Sequence, residues 1–400
     1  MNRIVIIGAS AGGLATAEAL RRMGYQATIT LIGSERHPPY DRPPLSKQIL
    51  TAEWEPERLP LRRKEDIDAL ALDMRLGVAA TGLDTGARTV NLADGTEVPY
   101  DGLVVSTGVR PRRLPGTEGL AGVHTLRTLE DALALKERLV AGRRLVIVGC
   151  GFIGAEAAAV ARGLGMEVTV LESAPLPLAP AVGEHVGRFL ARIHRDEGVR
   201  LRTSANVAGV DGDGSRVTGV GLADGTVLPA DDVLVAIGSL PNSEWLTGSG
   251  LTVQNGLVCD EFSAAARDVY GVGDVARWYN PLFGTAMRIE HRTNAAEQGM
   301  AVARNLLNPE ARRPFAPVPY FWSDQYGMKI QAYGHLRGHD EALVVGRDPA
   351  RRRLLVAYRT GDRLVGALAV GMPPKLLRTW RALIAAGTAW EPAVGDLAVP

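Results

Sequence analysis

Apolar residues in this chain come in short, dense runs that stop at glycine. The first run, RIVIIG (3–8), ends at Gly8, and a glycine-rich turn, GASAGG (8–13), follows it. Next comes LATAEALRRMG (14–24), with apolar and small residues at helical spacing, and then a second strand-like run, ATITLIG (27–33), closed by Glu35. The same order returns further on. RRLVIVG (143–149) leads into GCGFIG (149–154), a helical run AEAAAVARGLG (155–165) and a strand EVTVLE (167–172) that ends on Glu172. Strand, glycine turn, helix, strand, acid is the pattern of a βαβ dinucleotide-binding unit.

A second repeat supports the pairing. LADGTEVPYDGLVVSTGVRP (92–111) and LADGTVLPADDVLVAIGSLP (222–241) lie 130 residues apart (222 − 92). Each reads as a hairpin feeding a buried strand and then a Gly-x-x-Pro turn, Gly108 to Pro111 and Gly238 to Pro241. Two related nucleotide-binding domains in one chain explain both repeats, and Gly238 becomes a candidate nucleotide contact. The pattern changes after about residue 319. PYFWSDQYGMKIQAYG (319–334), EALVVGRD (341–348) and RLLVAYRTGDRLVGALAVG (353–371) read as strands, with a hairpin turn at Thr360-Gly361-Asp362. PKLLRTWRALIAAG (374–387) reads as a helix. The expected fold is α/β: two Rossmann-like domains in a glutathione-reductase-like arrangement plus an α+β C-terminal domain. The expected boundaries are 1–107 with 240–318, 108–239, and 319–400.

The glycine turns carry chemistry. A pyrophosphate needs backbone N–H donors and close approach, and a helix N-terminus adds a favourable dipole. Gly149, Gly151 and Gly154 supply all three glycines of the second turn. In the first, Gly8 and Gly13 stand in place, Ser10 takes the middle position and Gly12 sits beside the third. Glu35 lies 22 residues beyond Gly13 (35 − 13) and Glu172 18 beyond Gly154 (172 − 154). A carboxylate there accepts from ribose hydroxyls and repels a 2′-phosphate. Ser-Ala-Pro-Leu-Pro-Leu follows Glu172 with no cation, which favours NADH over NADPH in the second site. Two adenine dinucleotides in one chain suggest that NADH delivers hydride to FAD. The late segment DVYGVGDVA (268–276) ends a strand at Asp274, a position suited to the ribityl or phosphate part of FAD.

Composition narrows the partners. The 400 residues carry a net charge of +1, which favours neither nucleic acid nor an anionic membrane. No apolar stretch approaches the ~20 residues of a membrane span. The two cysteines, Cys150 and Cys259, stand in unrelated contexts. That excludes a CxxC pair and suits the reducing cytoplasm. No metal site is expected.

Taken in order, GASAGG, YDRPPLSK (40–47), LVVSTGVRPR, LRTLEDA (126–132), GCGFIGAE, YGVGDVA, RIEHRTNAAEQG (288–299) and PYFWSDQ resemble the FAD-dependent ferredoxin and rubredoxin reductases over nearly the whole chain. The resemblance implies an NADH:ferredoxin oxidoreductase that passes electrons singly through FAD to a two-iron two-sulfur ferredoxin serving an oxygenase or cytochrome P450. It implies FAD contacts from Gly12, Glu35, Arg42, Lys47, Arg127 and Asp274. Arg292 falls at a flavin-side position where relatives often carry an aromatic residue. Phe152 and Glu156 would lie at the nicotinamide side of the flavin, Lys47 near flavin N5, and Trp322 near the flavin edge. Related disulfide reductases place a cysteine pair where this chain has Pro43-Pro44-Leu45-Ser46, so electrons must leave from the flavin itself. An acidic ferredoxin would suit a basic face drawn from Arg110, Arg112, Arg113, Arg312, Arg313 and the run 351–353. A monomer or homodimer fits the sequence equally. The competing expectations are an NADH oxidase, a rubredoxin- or nitrite-reductase-like flavoprotein, and a redox-sensing flavoprotein.

Overall fold

The computed structural model describes residues 1–395, which fall into two compact units. The first comprises Met1–Asp41, Leu59–Arg110 and Leu240–Tyr320; the second comprises Arg42–Arg58, Pro111–Ser239 and Phe321–Pro400 up to the last described residue.

The strand Arg3–Ile7 lies near the middle of a six-stranded sheet in the first unit, parallel to Thr28–Gly33 on one side and Gly102–Val105 on the other. Its alternate residues enter two different cores. Ile4 and Ile6 pack with Leu20, Ile29 and Val302, while Val5 and Ile7 pack with Tyr100, Val105 and Trp278. Both faces of the strand are therefore covered, which explains why its sequence is apolar at every position rather than alternating. The helix Ala11–Arg22 starts three residues earlier than the apolar spacing suggests, inside the glycine turn itself. It meets the helix Arg292–Leu307 at Gly299, where an added Cβ would fall 2.7 Å from both Gly12 O and Thr16 Oγ1.

The second unit repeats this plan. Arg144–Val148 is parallel to Glu167–Leu171 and Asp232–Val235 in a five-stranded sheet, and the helix Phe152–Gly163 again begins inside the turn. The central strand of each sheet thus has corresponding parallel neighbours in both units, as the two sequence repeats require. Gly108 and Gly238 adopt positive φ (66° and 92°), but each leads into a short strand, Val109–Pro111 and Ser239–Pro241, rather than closing a tight turn.

Residues beyond 320 build a five-stranded sheet in the order Tyr320–Gln325, Met328–Gly334, Arg363–Val370, Arg353–Thr360, Glu341–Asp348. Thr360 and Arg363 pair across Gly361-Asp362, the hairpin anticipated from sequence. The helix Pro374–Ala385 presses Leu377, Trp380 and Ile384 inward as its buried stripe. The chain is thus α/β with an α+β C-terminal part.

Candidate functional site

The two glycine turns use one device. Gly8 (φ +118°) and Gly149 (φ +98°) each present a carbonyl to the start of the following helix. A Cβ on Gly13 would lie 2.1 Å from Gly8 O, and one on Gly154 would lie 2.1 Å from Gly149 O. Only glycine permits that approach. Ser10 and Gly151 occupy the N-cap positions, and neither helix start is capped by a side chain. The first-turn amides are left to an outside acceptor, as a phosphate site requires. Over Gly151 there is open space, with nothing within 4 Å of an added Cβ.

Each turn has its acid. Glu172 Oε2 accepts from the Cys150 amide and Oε1 from the Ala174 amide, both at 2.9 Å. Glu35 Oε2 accepts from the Tyr40 hydroxyl at 2.5 Å. The residues present fit two dinucleotides. The Gly8–Gly13 cradle, and the amide of Asn294, buried with neither of its polar atoms partnered, suit FAD in the first unit. Asn294 neighbours Ala295, whose carbonyl lies 3.5 Å from a Cβ built on Gly12. Asp274 lies in a 3-10 turn, Gly273–Val275, with Gly273 at φ +72°. The Gly273 amide donates to the buried Gln298 Oε1 at 2.8 Å. Arg292 donates to Asp41 Oδ1 at 2.8 Å, so its guanidinium is engaged within the first unit.

YDRPPLSK divides between the units after Asp41. Pro43–Ser46 forms a 3-10 turn with proline at its first two positions, which fix φ in advance. Leu45 and Ser46 point inward, 2 % exposed each. Arg42 donates to the carbonyl of Arg127 at 2.8 Å, bringing two sequence-distant candidates together. Lys47 Nζ forms an ion pair with Glu156 Oε2 at 2.7 Å and also donates to Pro43 O at 3.0 Å. The pair is nearly dry, with side chains 12 % and 4 % exposed. Ser46 Oγ donates to the same Oε2 at 2.5 Å, and Ser323 Oγ donates to Oε1 at 2.6 Å. Glu156 thus accepts from three side chains, Lys47, Ser46 and Ser323. Phe152, half-buried at the start of the same helix, packs against Phe321 with ring centroids 4.8 Å apart. Trp322 lies half-buried on the strand that carries Ser323, and Gly238 is exposed.

Sequence reasoning found Lys47 and Glu156 but not Ser46 or Ser323. The one available signal for Ser323 is that it shares the inward face of Tyr320–Gln325 with Gln325, two polar residues where apolar ones belong. Four of the eight arginines proposed for docking are engaged in ion pairs. Arg110 pairs with Glu244, Arg312 with Asp260, Arg351 with Asp348 and Arg352 with Glu197. Arg112, Arg113 and Arg313 are exposed. Both cysteines are buried, and burial is the main cause that pushes each thiol up to about 12. Among the described residues no group of three His, Cys, Asp or Glu side chains could hold a metal ion, and no helix is long and apolar enough to cross a membrane.

Two dinucleotide cradles in one chain, one of them in the unit that holds a buried lysine–glutamate pair, define a flavin-dependent pyridine nucleotide oxidoreductase. Comparison with known proteins places it more closely. Residues 2–299 match the family described as pyridine nucleotide-disulphide oxidoreductase, and residues 320–399 match the family described as reductase C-terminal. The chain is 40% identical to the anthranilate 1,2-dioxygenase system ferredoxin–NAD(+) reductase component of Burkholderia cepacia, over 97% of this chain and 95% of that one. It is 36% identical to putidaredoxin reductase of Pseudomonas putida, over 100% and 96%. Its fold matches the reductase in the crystal structure of the covalent putidaredoxin reductase–putidaredoxin complex, with a TM-score of 0.94 and 35% identity, over 100% and 97% of the two chains. The chain belongs to the pyridine nucleotide-disulphide oxidoreductases and, within them, to the ferredoxin and rubredoxin reductases; it uses FAD and NAD(H).

Proposed function

We propose that this protein oxidises NADH and passes the electrons singly, through FAD, to a small acidic two-iron two-sulfur ferredoxin that serves an oxygenase or cytochrome P450 in the cytoplasm. The observation that carries the reading is the chemistry around Lys47. The segment Arg42–Arg58 holds no thiol, and both cysteines of the chain are buried and protonated. A disulfide relay is therefore closed, and the flavin is the exit. The named relatives supply the acceptor class.

In this reading FAD, when bound, supplies a ring that accepts a hydride and releases electrons one at a time. The protein's work is placement. Gly8, Gly12, Gly13, Glu35 and Asp274 hold FAD, with Arg42 and Arg127 as further contacts. Amides over Gly149–Gly154 hold the NADH pyrophosphate, and Glu172 takes the ribose hydroxyls. Phe152 shields or stacks at the nicotinamide position. Lys47 provides a cation held by Glu156 for the charge that develops on hydride transfer. No general acid is needed, because the step is mainly positioning. Arg112, Arg113 and Arg313 raise the ferredoxin on-rate more than its affinity.

The test is NADH-driven cytochrome c reduction by the purified flavoprotein, with and without a two-iron two-sulfur ferredoxin, with oxygen uptake followed in parallel. Strong ferredoxin dependence supports the reading. Brisk oxygen uptake with no ferredoxin dependence replaces it with an oxidase.

A further inference from the structure

Behind Glu156 the polar contacts continue into the protein. Ser323 Oγ lies 2.6 Å from Glu156 Oε1, and Gln325 Nε2 lies 3.2 Å from Ser323 Oγ. Ser323 is 0 % and Gln325 1 % exposed. The next residue, Tyr326, sits at positive φ (50°) in the turn between strands, and its hydroxyl reaches His194 Nδ1 at 2.7 Å. His194 lies on the helix Glu184–Asp196 and is 1 % exposed. Two buried atoms in this group lack a close partner, Gln325 Oε1 and His194 Nε2.

The donor inventory assigns every hydrogen. Glu156, which accepts from Lys47 and Ser46, accepts from the Ser323 hydroxyl as well. A hydroxyl has a single hydrogen, so toward Gln325 Ser323 must accept, and Gln325 presents its NH2 group there. The two contacts therefore run in one direction, from the Gln325 amide through the Ser323 hydroxyl to the Glu156 carboxylate.

We propose that Gln325 and Ser323 form a directional hydrogen-bond chain that ends on Glu156 and positions it, and through it Lys47, for hydride transfer. The proposal rests on the reading of Lys47 and Glu156 as hydride-site residues. It gives the C-terminal part of the chain a role in flavin reduction. Both residues act through Glu156 and are positioning residues.

A double-mutant cycle on the FAD-loaded protein tests the chain. Ser323→Ala and Gln325→Met should each slow single-turnover flavin reduction by NADH about tenfold, the loss of one hydrogen bond to a charged group. NADH Kd and FAD retention should change less than about twofold, since neither group binds nucleotide. In a Glu156→Ala background neither change should slow the step further. Equal slowing in both backgrounds would mean that the residues act structurally, and would overturn the proposal. If Glu156→Ala itself leaves the rate intact, the hydride-site reading falls and the positioning role falls with it.

Discussion

The backbone amide of Cys150, inside the second glycine turn, donates to Glu172 Oε2 over 2.9 Å. The phosphate turn and the acid beyond the next strand are therefore one unit, and the carboxylate cannot swing away when the ribose departs. Oε2 keeps a lone pair for a ribose hydroxyl, since the Cys150 amide takes only one, while Oε1 already accepts from the Ala174 amide and the Ser173 hydroxyl. Glu172→Ala should lower the preference for NADH over NADPH about tenfold or more, because charge-assisted hydrogen bonds of roughly 1.5–3 kcal/mol are lost and the repulsion of a 2′-phosphate disappears. The ratio of kcat/KM values for the two nucleotides measures it. An unchanged ratio removes the ribose assignment.

Gly151 and Gly154 separate binding from folding. A methyl on Gly151 meets no protein atom, whereas one on Gly154 strikes the Gly149 carbonyl at 2.1 Å. Gly151→Ala should leave the thermal midpoint of the apoprotein nearly unchanged and weaken NADH about tenfold, because its methyl enters the cradle. Gly154→Ala should destabilise by roughly 1–3 kcal/mol or more through overpacking. Calorimetry of both apoproteins beside NADH titrations checks the pair; similar losses of stability would mean that Gly151 is structural too.

Lys47 and Glu156 are almost free of solvent, so removing either strands the other. Lys47→Ala should slow flavin reduction about a hundredfold, in the range seen for a lost electrostatic donor. NADH affinity should shift less than about threefold. Stability should drop by roughly 3–5 kcal/mol, the cost of an uncompensated buried charge. Stopped-flow reduction at saturating NADH separates the two effects, and a wild-type limiting rate would end the N5 assignment.

His194 gives the fold an acid limb. Its pKa falls from 6.5 to about 4 on burial. A proton therefore binds the unfolded chain in preference, so stability is complete above about pH 6.5 and declines as pH falls toward 4, by about 3 kcal/mol in all. Asp101 and Asp231, held at about 2 chiefly by Arg3 and Arg144, add their losses only below about pH 4, where the unfolded carboxylates begin to protonate. Urea midpoints measured between about pH 7 and pH 4.5 should fall for the wild type and stay flatter for His194→Gln. Parallel profiles would show that another group carries the limb.

Much of this arrangement is legible before any coordinates. Both glycine turns announce themselves because the constraint is local: a carbonyl one turn away excludes any side chain at Gly13 and Gly154. The paired repeats announce the duplicated sheet because each strand run is apolar on both faces. The helix starts at Ala11 and Phe152 are hidden, since the first turn of each helix is built from the glycines that look like loop. The partners of Glu156 were not legible at all. Ser46, Lys47, Ser323 and Glu156 are separated by more than a hundred residues except for the adjacent first two, and no short-range pattern encodes a contact of that span. The state of the arginine runs is hidden for a related reason. Charge is visible in a sequence, but whether Arg110 or Arg352 is already matched to Glu244 or Glu197 is not.

The buried thiols limit how much reducing power the protein can store. A flavoprotein with a working dithiol can take up hydride at the ring, move it to sulfur and accept another. Here Cys150 and Cys259 remain protonated at any physiological pH, so a single hydride fills the reservoir. Anaerobic titration should end at one NADH per FAD. In a cell rich in NADH, the reductase idles fully charged, and its throughput is set by the arrival of an acceptor rather than by the supply of donor.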